Sequence, residues 1–342
     1  MHSTLHAVHR VPATILTPGR FVQLLDAARR RRGQLIDAPD LTAYRLLDGA
    51  GDGAAGLYLD RYGPALVMQV YEDARLSDAA ITSAARTAFE LTAPSGVESV
   101  YVKRFVRDRS RLGGQAPDES RAAGPRVGRR QPETLVVREH GSRFEVRLYD
   151  GFSTGLFLEH RDHREALAKL QPGRVLNLFA YTCAFAVPLA RAGAQVTNVD
   201  VSSRYLQWGE RNLVLNGIAP AASRFFRMGA FEFLAYAARH AEERFDLVIL
   251  DPPTFAAGDR RRGVQPWKAV EDYPTLVQAA AQILTPDGLV FAASNTRELA
   301  TDDRLARLIQ NALGAAPAWR PLPLRPTDLT ETDRLAALLF AP

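Results

Sequence analysis

The sequence of 342 residues contains a single cysteine, Cys183. One cysteine cannot form an intramolecular disulfide, and it argues against a zinc site built from cysteines. The sequence has no run of about 18 apolar residues that would suit a membrane-spanning helix. Residues 1–10 also lack the apolar segment of a secretory signal. These absences favour a cytoplasmic protein with neither a membrane span nor a metal centre.

The excess of one charge sign is small. Lys and Arg number 43 against 38 Asp and Glu, which gives a net charge of +5 and an isoelectric point near 9.5. A mild positive excess is compatible with a nucleic-acid partner, and arginine, which supplies nearly all the basic residues, suits contacts to phosphates and bases. A high content of both arginine and alanine also follows from genome composition. The excess of positive charge by itself therefore does not identify the partner.

The length favours two domains, and changes in composition divide the chain into five predicted segments. The arginine cluster at residues 29–32 is interpreted as the solvated end of a helix. A stretch rich in Arg, Gly and Pro is interpreted as a mobile loop, whose seven arginines could either follow an RNA backbone or remain solvated. The predicted segments are an N-terminal arm at 1–40, a small α/β domain at 41–106, the arginine-rich loop at 107–133, a β-hairpin connector at 134–150 and a larger α/β domain at 151–342.

From about residue 150 the pattern changes to a regular alternation of strands and helices, which predicts a doubly wound, mostly parallel sheet. The last two strands have no helix between them and should pair antiparallel. The predicted strands are 175–179, 195–199, 225–228, 247–250, 289–293, 320–324 and 335–340, and the predicted helices are 184–191, 203–216, 231–239, 273–284 and 303–313.

Ligands of such sheets bind beyond the carboxyl ends of the strands, and the first strand of the larger domain leads into an informative loop. Residues 177–185 read NLFAYTCAF, with no glycine-rich phosphate-binding pattern and no basic residue. A cofactor with a pyrophosphate would need glycines and a free helix N-terminus, so this loop favours an uncharged or cationic nucleoside. Asp200 ends the next strand, where a carboxylate can accept hydrogen bonds from both hydroxyls of a ribose.

The fourth strand ends in Asp251-Pro252-Pro253-Thr254-Phe255. Consecutive prolines stiffen the backbone and remove two donors, which leaves exposed carbonyls and the Asp251 carboxylate facing the cleft. The aromatic ring of Phe255 could stack on a base, as in proteins that hold single-stranded RNA. An acid followed by two prolines at this place therefore predicts a substrate site rather than only a stiff turn.

Several segments carry a resemblance to a known family: LNLFAYT at 176–182, Asp200, ERN at 210–212 with Asn216-Gly217, DPPTF at 251–255, TGLFLEHR at 154–161 and, more weakly, GLYLDRYG at 56–63. They resemble the bacterial large-subunit rRNA methyltransferases that modify guanine N7 or cytosine C5 of 23S rRNA. The resemblance implies a class I methyltransferase fold, with a Rossmann-like doubly wound sheet, an antiparallel last strand and a small α/β domain before it. It implies S-adenosylmethionine as cofactor and RNA as partner.

The resemblance also implies two groups of site residues. Residues 179–182 would line the methionine and sulfonium end of the cofactor, Asp200 would bind the ribose, and Phe157 and Arg161 would close over the cofactor. The implied cofactor-binding residues are Phe157, Arg161, Asn177, Phe179, Ala180, Tyr181, Thr182, Asp200, Val201, Gly229, Ala230 and Asp251. The residues implied to hold the target base are Asp251, Pro252, Pro253, Phe255 and Asn295.

Two positions depart from the family's pattern. Cys183 stands where the family usually has glycine, so a Cβ and a sulfur must be accommodated there. Gly229 stands where the family usually has an acid for the adenine amine, so adenine recognition would fall to backbone groups. The first 40 residues are also too few for the N-terminal RNA-binding PUA domain that many members carry.

The residue after the fifth strand separates two reactions. Methylation of cytosine C5 needs a cysteine thiolate that attacks C6, and the family's cytosine branch carries that cysteine where this sequence has AASNTR at 292–297. Cys183 is better interpreted as a packing residue. Guanine N7 carries an in-plane lone pair and needs only alignment with the methyl group, and Ser294-Asn295 also resembles the guanine branch.

Methylation of RNA at guanine N7 of 23S rRNA is therefore the leading hypothesis. A small-molecule or protein methyltransferase on the same fold and a catalytically weak RNA-binding relative remain alternatives.

Overall fold

The computed structural model describes residues 17–106, 124–149, 151, 153–256, 258, 265–323, 325–331 and 334–342. Two sheets organise these residues: a five-stranded sheet in the N-terminal domain and a seven-stranded sheet in the C-terminal domain. A separate two-stranded hairpin lies between them in the sequence. None of the helices in the described ranges is long and apolar enough to cross a bilayer.

Helix α1 (Pro18–Arg31) occupies much of the segment predicted as an arm, and that prediction is wrong for these residues. The Thr17 hydroxyl caps the helix by accepting the Arg20 N–H. The buried positions, spaced i, i+3, i+4 and i+7 along one helix face, are Phe21, Leu24, Leu25 and Ala28. This face makes α1 part of the N-terminal domain.

The arginine cluster is an exposed helix end, as predicted, at Arg30 and Arg31, but Arg32 is buried. Arg32 is 2% exposed, and its guanidinium donates to the Asp52 carboxylate at 2.7 Å and to the Asp328 carbonyl oxygen at 2.6 Å. Arg31 pairs with the same Asp52 carboxylate. A short helix α2 (Gly33–Ile36) follows, so the cluster ties the start of the chain to the rest of the fold.

The five-stranded sheet follows sequence order, β1-β2-β3-β4-β5. Helix α3 (Asp78–Thr92) crosses over between β3 and β4, which pair parallel, and the other neighbours pair antiparallel. The strands are β1 (Ala43–Asp48), β2 (Leu57–Tyr62), β3 (Ala65–Tyr71), β4 (Ser99–Phe105) and β5 (Val127–Gly128).

Strand β5 lies inside the stretch predicted as an arginine-rich loop, so the sheet extends beyond residue 106. Four of the seven arginines lie outside the described residues, namely Arg107, Arg109, Arg111 and Arg121. The other three contact side chains of the protein itself: Arg126 pairs with Asp78, Arg129 pairs with Glu98, and Arg130 lies over the Tyr149 ring. Their charges are therefore partly compensated within the molecule.

The hairpin expected around residues 140 and 141 consists of β6 (Leu135–Glu139) and β7 (Ser142–Val146). His140 and Gly141 form its turn, with φ of 46° and 72°. Two residues in the left-handed conformation are what a tight hairpin turn of matching twist requires.

The seven-stranded sheet has the order β10-β9-β8-β11-β14-β16-β15. Its first five strands pair parallel, and β16 and β15 pair antiparallel, as predicted from the missing helix. The strands of this domain are β8 (Arg174–Leu178), β9 (Gln195–Asp200), β10 (Arg224–Arg227), β11 (Phe245–Leu250), the short separate pair β12 (Phe255–Ala256) and β13 (Trp267–Lys268), β14 (Leu284–Ser294), β15 (Ala318–Arg320) and β16 (Ala336–Ala341). The helices are α4 (Arg161–Lys169), α5 (Ala186–Arg191), α6 (Ser203–Leu215), α7 (Ala230–Ala238), α8 (Ala269–Ala281), α9 (Arg297–Ala300) and α10 (Arg304–Leu313).

Several predicted boundaries differ from the structure, and the largest shift is the start of β14, which was predicted at residue 289 and lies at Leu284. The helix predicted from residue 273 begins at Ala269, because the Asp272 carboxylate accepts the Lys268 N–H at the helix start. The strand predicted at 320–324 lies at Ala318–Arg320, where its backbone pairs with the last strand.

Buried charges join the two domains, and we call Arg45, Asp48, Arg161 and Asp328 the interdomain ionic cluster. The Asp328 carboxylate accepts hydrogen bonds from the Arg161 guanidinium at 2.6 and 3.1 Å and from the Arg45 backbone N–H at 2.7 Å. Arg45 pairs in turn with Asp48 at 2.9 Å. Because Arg161 begins α4 and Arg45 lies in β1, the cluster fixes one domain against the other.

Asp48 should make stability depend on pH. Burial acts to raise the pKa of Asp48, but the Arg45 charge and the N–H groups of Glu331 and Thr330 outweigh it and hold the pKa below its usual value of 3.8. A carboxylate whose pKa is lower in the folded state stabilises the protein above its usual pKa, and that contribution disappears as the pH falls. Asp48→Asn should therefore lower the free energy of unfolding at neutral pH, and its difference from wild type should shrink below about pH 4.

Urea unfolding at a series of pH values measures this difference. The exposed Asp287 provides the control, because Asp287→Asn should keep the wild-type pH dependence. An Asp48→Asn effect of the same size at acid and neutral pH would contradict the assignment.

Candidate active site

The predicted site residues lie on loops at one edge of the seven-stranded sheet. Leu178 of β8 is paired with Val199 of β9 and Leu250 of β11, and Leu250 is paired with Ala292 of β14. The loops that follow these four strands therefore begin side by side. Strand order reverses between β8 and β11, which is where ligands bind in doubly wound sheets.

The loop that follows β8, which we call the cofactor loop (residues 179–185), has an unusual backbone. Three of its residues adopt a left-handed conformation, which costs a non-glycine residue on the order of 1 kcal/mol. They are Phe179, Tyr181 and Cys183, with φ of 54°, 49° and 56°. Side chains from neighbouring elements hold this shape: Asp200 accepts the Tyr181 N–H at 2.9 Å, and Asn212 donates to the Thr182 carbonyl at 2.9 Å.

Cys183 is a packing residue, as its position on the loop predicts. Its side chain is fully buried, and burial, with the charges of Asp200 and Glu210, raises the pKa of the thiol well above its usual value. A Cβ placed on Gly209 of α6 would lie 2.3 Å from the Cys183 sulfur. The family usually has glycine at position 183. Here Gly209, which has no side chain, leaves the space that the Cys183 side chain occupies.

Gly209→Ala should disturb this packing. The added methyl group would overlap both the sulfur and the Cβ of Cys183, and overpacking of this kind costs about 1–3 kcal/mol. We expect a lower free energy of unfolding and weaker binding of S-adenosylhomocysteine, measured by urea unfolding and calorimetry. Cys183→Gly in the same chain should restore both, because it removes the overlapping atoms and suits the positive φ of position 183. Failure of this second substitution to restore either quantity would show that the two residues are not coupled.

Asp200 has the geometry expected of a ribose-binding carboxylate. One oxygen accepts the Tyr181 N–H at 2.9 Å and the other accepts the Ser202 N–H at 2.8 Å. Burial raises the pKa of Asp200 in spite of these two backbone donors. A carboxylate oxygen can accept more than one hydrogen bond, so each oxygen keeps capacity for one hydroxyl of a vicinal diol. Asp200 therefore fits the nucleoside part of S-adenosylmethionine.

The first turn of α7, just after β10, contains an acid that sequence reasoning missed. Gly229 has no side chain, but its N–H donates to the Glu232 carboxylate at 3.3 Å, one turn into α7. An exposed acid, Glu232, thus lies three residues after position 229. Ala230 begins α7 beside it. The signal in the sequence was the glycine followed three residues later by glutamate, a helix-start pattern.

Two residues expected to bind the cofactor are buried instead. Asn177 is 2% exposed, and its amide donates to Asn198 within the sheet at 2.9 Å. Arg161 is 1% exposed and is paired with Asp328. Arg161 therefore does not close over the cofactor, because its guanidinium belongs to the interdomain ionic cluster.

The other expected cofactor residues divide by exposure. Ala180 and Thr182 are buried, so they can offer a ligand mainly backbone atoms. Phe157 is exposed, and its ring centroid lies 5.5 Å from that of Tyr181 on the cofactor loop. Val201 is likewise exposed, directly after Asp200. Phe157 and Tyr181 thus form an aromatic wall at one side of the loop.

The Asp251–Phe255 turn is held from outside by residues that sequence reasoning missed. The Trp267 indole donates to the Pro253 carbonyl at 2.6 Å, and the Tyr273 hydroxyl donates to the Ala293 carbonyl at 2.8 Å. Trp267 also packs on Phe179 of the cofactor loop, with ring centroids 5.3 Å apart. These contacts join the strand ends of β8, β11 and β14.

The two strand ends proposed for the base are linked directly. The Thr254 hydroxyl donates to the Asn295 side-chain oxygen at 3.0 Å. An amide whose oxygen is engaged in this way presents its NH₂ group as a donor. Phe255 is 61% exposed beside them, and Asp251 remains partly exposed while Pro252 is buried. Among the described residues, no group of three His, Cys, Asp or Glu side chains could hold a metal ion.

Known proteins are similar to this chain in sequence and in fold. The profile of the S-adenosylmethionine-dependent methyltransferase family matches residues 108–333. A ribosomal RNA large subunit methyltransferase of Deinococcus radiodurans is 32% identical over 325 residues, which cover 93% of this chain and 76% of that protein. Ribosomal RNA large subunit methyltransferase I of Klebsiella pneumoniae is 33% identical over 82% of this chain and 67% of its own length.

The comparison with solved structures agrees with the comparison of sequences. The crystal structure of SMU.776 complexed with SAH superposes with a TM-score of 0.80 at 26% identity, covering 96% of this chain and 83% of that one. The chain therefore belongs to the S-adenosylmethionine-dependent methyltransferases and, within them, to the family of the bacterial ribosomal RNA large subunit methyltransferases.

Proposed function

We propose that this enzyme methylates RNA of the large ribosomal subunit, and that its target atom is guanine N7 rather than cytosine C5. The observation that carries the choice of atom is Asn295, held by the Thr254 hydroxyl at 3.0 Å, in the segment 292–297 that has no cysteine. The names of the relatives from Deinococcus radiodurans and Klebsiella pneumoniae support RNA as the substrate class.

Cytosine C5 is disfavoured by the chemistry of the only thiol. Attack on cytosine C6 needs an accessible thiolate. The Cys183 sulfur is fully buried against Gly209, and burial raises its pKa well above the usual value. A thiol of this kind stays protonated and cannot approach a base.

Guanine N7 needs neither a covalent catalyst nor a general base. Its lone pair attacks the methyl carbon, the bond from carbon to the sulfonium sulfur breaks, and S-adenosylhomocysteine leaves with that electron pair. Catalysis then rests on holding nitrogen, methyl group and sulfur in line. Positive charge moves from the sulfur to the guanine ring, and the Asp251 carboxylate at the end of β11 would stabilise it there.

The arrangement around Thr254 suits a guanine edge. Guanine carries the O6 acceptor next to N7, and the Asn295 NH₂ group, oriented by Thr254, is the donor that would hold O6. The exposed ring of Phe255 would stack on the base. A target within a duplex would have to be flipped out before it could reach this position.

The cofactor would lie across the ends of β8, β9 and β10. Asp200 would accept the two ribose hydroxyls, and the aromatic wall of Phe157 and Tyr181 would face the sulfonium, since a cation is attracted to an aromatic face. Glu232 would accept the adenine amine in place of the acid that is missing at position 229.

A transfer assay tests the substrate class. The protein is incubated with methyl-labelled S-adenosylmethionine and a mixture of ribosomal RNA, soluble protein and metabolites from a cell extract, and the fractions are counted separately. We expect the label in large-subunit RNA. Asn295→Ala should lower the rate, whereas the control Asn311→Ala on the exposed side of α10 should not. Label in protein or metabolites, with none in RNA, would overturn the proposal.

A further inference from the structure

One amide side chain of helix α6 joins two separate parts of the molecule. Asn212 is 1% exposed, and its side-chain oxygen accepts the Glu145 N–H of strand β7 at 2.8 Å. Its NH₂ group donates to the Thr182 carbonyl of the cofactor loop at 2.9 Å. Asn212 is the last residue of the ERN segment at 210–212, one of the segments that resemble the family. It therefore connects the hairpin to the cofactor loop through a single group.

The orientation of the Asn212 amide follows from its two neighbours. A backbone N–H only donates and a backbone carbonyl only accepts, so the amide oxygen must face Glu145 and the NH₂ group must face Thr182. Glu145 is held in turn, because its carbonyl accepts the indole N–H of the buried Trp208 at 3.1 Å. Asn212 thus presents a donor to the cofactor loop at a fixed place.

This donor fixes the peptide group between Thr182 and Cys183. The carbonyl of that group points to Asn212, and its N–H, on the opposite side of the same planar group, donates to the Ala180 carbonyl at 2.7 Å. Cys183 is held in this way at a φ of 56°. Turning the peptide plane by half a turn would take φ of Cys183 to a negative value, which a residue with a Cβ prefers. Asn212 therefore opposes a rotation that the local backbone favours.

The surroundings of Thr182 make the contact difficult to replace. Thr182 is fully buried, so its carbonyl would lose its donor away from water if Asn212 were removed. The Thr182 hydroxyl donates to the Gly155 carbonyl at 2.6 Å, which keeps the side chain in place while the peptide plane turns. The loss of Asn212 would consequently act on the backbone of the cofactor loop.

We propose that Asn212 is a positioning residue for S-adenosylmethionine, which holds the Thr182–Cys183 peptide group in the orientation that binds the methionine end and makes that orientation depend on strand β7. The proposal rests on the placement of the cofactor against this loop given above. Ala180 and Thr182 are buried and can offer a ligand mainly backbone atoms. The orientation of the peptide groups therefore decides what the ligand meets, and Asn212 acts only through Thr182.

The single cysteine reports on the loop without any ligand. Cys183 is fully buried, so its reaction with a dithionitrobenzoate reagent at mildly alkaline pH requires the loop to open. In Asn212→Ala we expect the labelling rate to rise about tenfold, the effect of one buried carbonyl left without its donor. This excess should hardly change in low concentrations of urea, because local opening exposes little surface. An excess that rises with urea as steeply as global unfolding would overturn the proposal.

Calorimetry with S-adenosylhomocysteine measures the consequence for the cofactor. Asn212→Ala should weaken binding about tenfold, and the ligand should slow the labelling of Cys183 in the wild-type chain. An unchanged affinity in the folded variant would overturn the proposal even if labelling is faster, because the loop would then not hold the cofactor. Neither measurement uses RNA, so the result stands whichever nucleoside the enzyme methylates.

Asn216→Ala is the matched control on the same helix. Asn216 accepts the Arg143 N–H at 2.8 Å and donates to the Arg143 carbonyl at 2.7 Å, so it holds the same hairpin without bonding the cofactor loop. We expect lower stability but wild-type affinity and labelling. A tenfold loss of affinity here as well would overturn the proposal, because docking of the hairpin alone would then set the affinity. Asn212→Leu, which fills the space without a donor, repeats the test if Asn212→Ala does not fold.

Glycine at position 183 tests the part played by the backbone. Glycine adopts a positive φ at little cost, so in a Cys183→Gly chain the rotation of the peptide plane relieves no strain. Asn212→Ala should therefore weaken the binding of S-adenosylhomocysteine less in that background than in the wild-type chain. An equal or greater loss would overturn the proposal that Asn212 acts by holding this peptide group.

Discussion

Asp328→Ala should lower the free energy of unfolding by about 3–5 kcal/mol, the usual cost of removing one partner of a buried ion pair. Asp328 and Arg161 are both almost fully buried, and the carboxylate also accepts the Arg45 backbone N–H. Alanine at this position leaves the Arg161 guanidinium without its main counter-charge and leaves the backbone donor without its acceptor. Urea unfolding at neutral pH measures the difference.

Two further variants separate charge from shape. Asp328→Asn keeps an acceptor and nearly the same volume, so it should cost less than alanine. The double variant Arg161→Met with Asp328→Leu removes both charges, and it should be more stable than Asp328→Ala, because no buried charge is left unpaired. A loss below about 1 kcal/mol in Asp328→Ala, the range of exposed ion pairs, would show that the interdomain ionic cluster does not hold the domains together.

Asp200→Ala should weaken the binding of S-adenosylhomocysteine at least about a hundredfold. Hydrogen bonds to a charged group contribute about 1.5–3 kcal/mol each, and Asp200 is proposed to accept two from the ribose. The carboxylate also holds the Tyr181 and Ser202 N–H groups, so its loss would loosen the cofactor loop as well. Calorimetry on the folded variant measures the dissociation constant.

Asp200→Asn is the matched comparison. It keeps one acceptor oxygen and the side-chain volume, so we expect an affinity between those of wild type and Asp200→Ala. The exposed Asp287→Ala variant should bind like wild type. An unchanged affinity in Asp200→Ala, with the fold intact, would place the ribose elsewhere.

Short-range patterns predicted much of this fold. Strand–helix alternation after residue 150 gave the parallel sheet, and the absence of a helix between the last two strands predicted their antiparallel pairing. The signal for helix α1 was also present: a threonine before Pro18, four apolar residues at helical spacing and Gly33 just beyond the end. The segment was interpreted from the charge of its arginines, although the apolar residues of the buried face were the signal for the helix.

The site was only partly predictable, because several of its contacts join residues that are distant in the sequence. The strand-end motifs placed Asp200, Asp251 and Asn295 at one edge of the sheet through a general property of parallel sheets. Nothing near Arg161 in the sequence indicates that Asp328, 167 residues later, pairs with it. Trp267 holds the Pro253 carbonyl through a similar contact between separate segments, and no local pattern marks it.

The identity of the methylated nucleoside tests most directly whether this enzyme methylates guanine N7 of large-subunit RNA. Large-subunit RNA from cells that lack the gene is incubated with the enzyme and S-adenosylmethionine carrying a deuterated methyl group, then digested and examined by mass spectrometry of nucleosides. We expect deuterated N7-methylguanosine at one position, and none when the Asp200→Ala variant is used. Deuterated 5-methylcytidine, or RNA without any label, would contradict it.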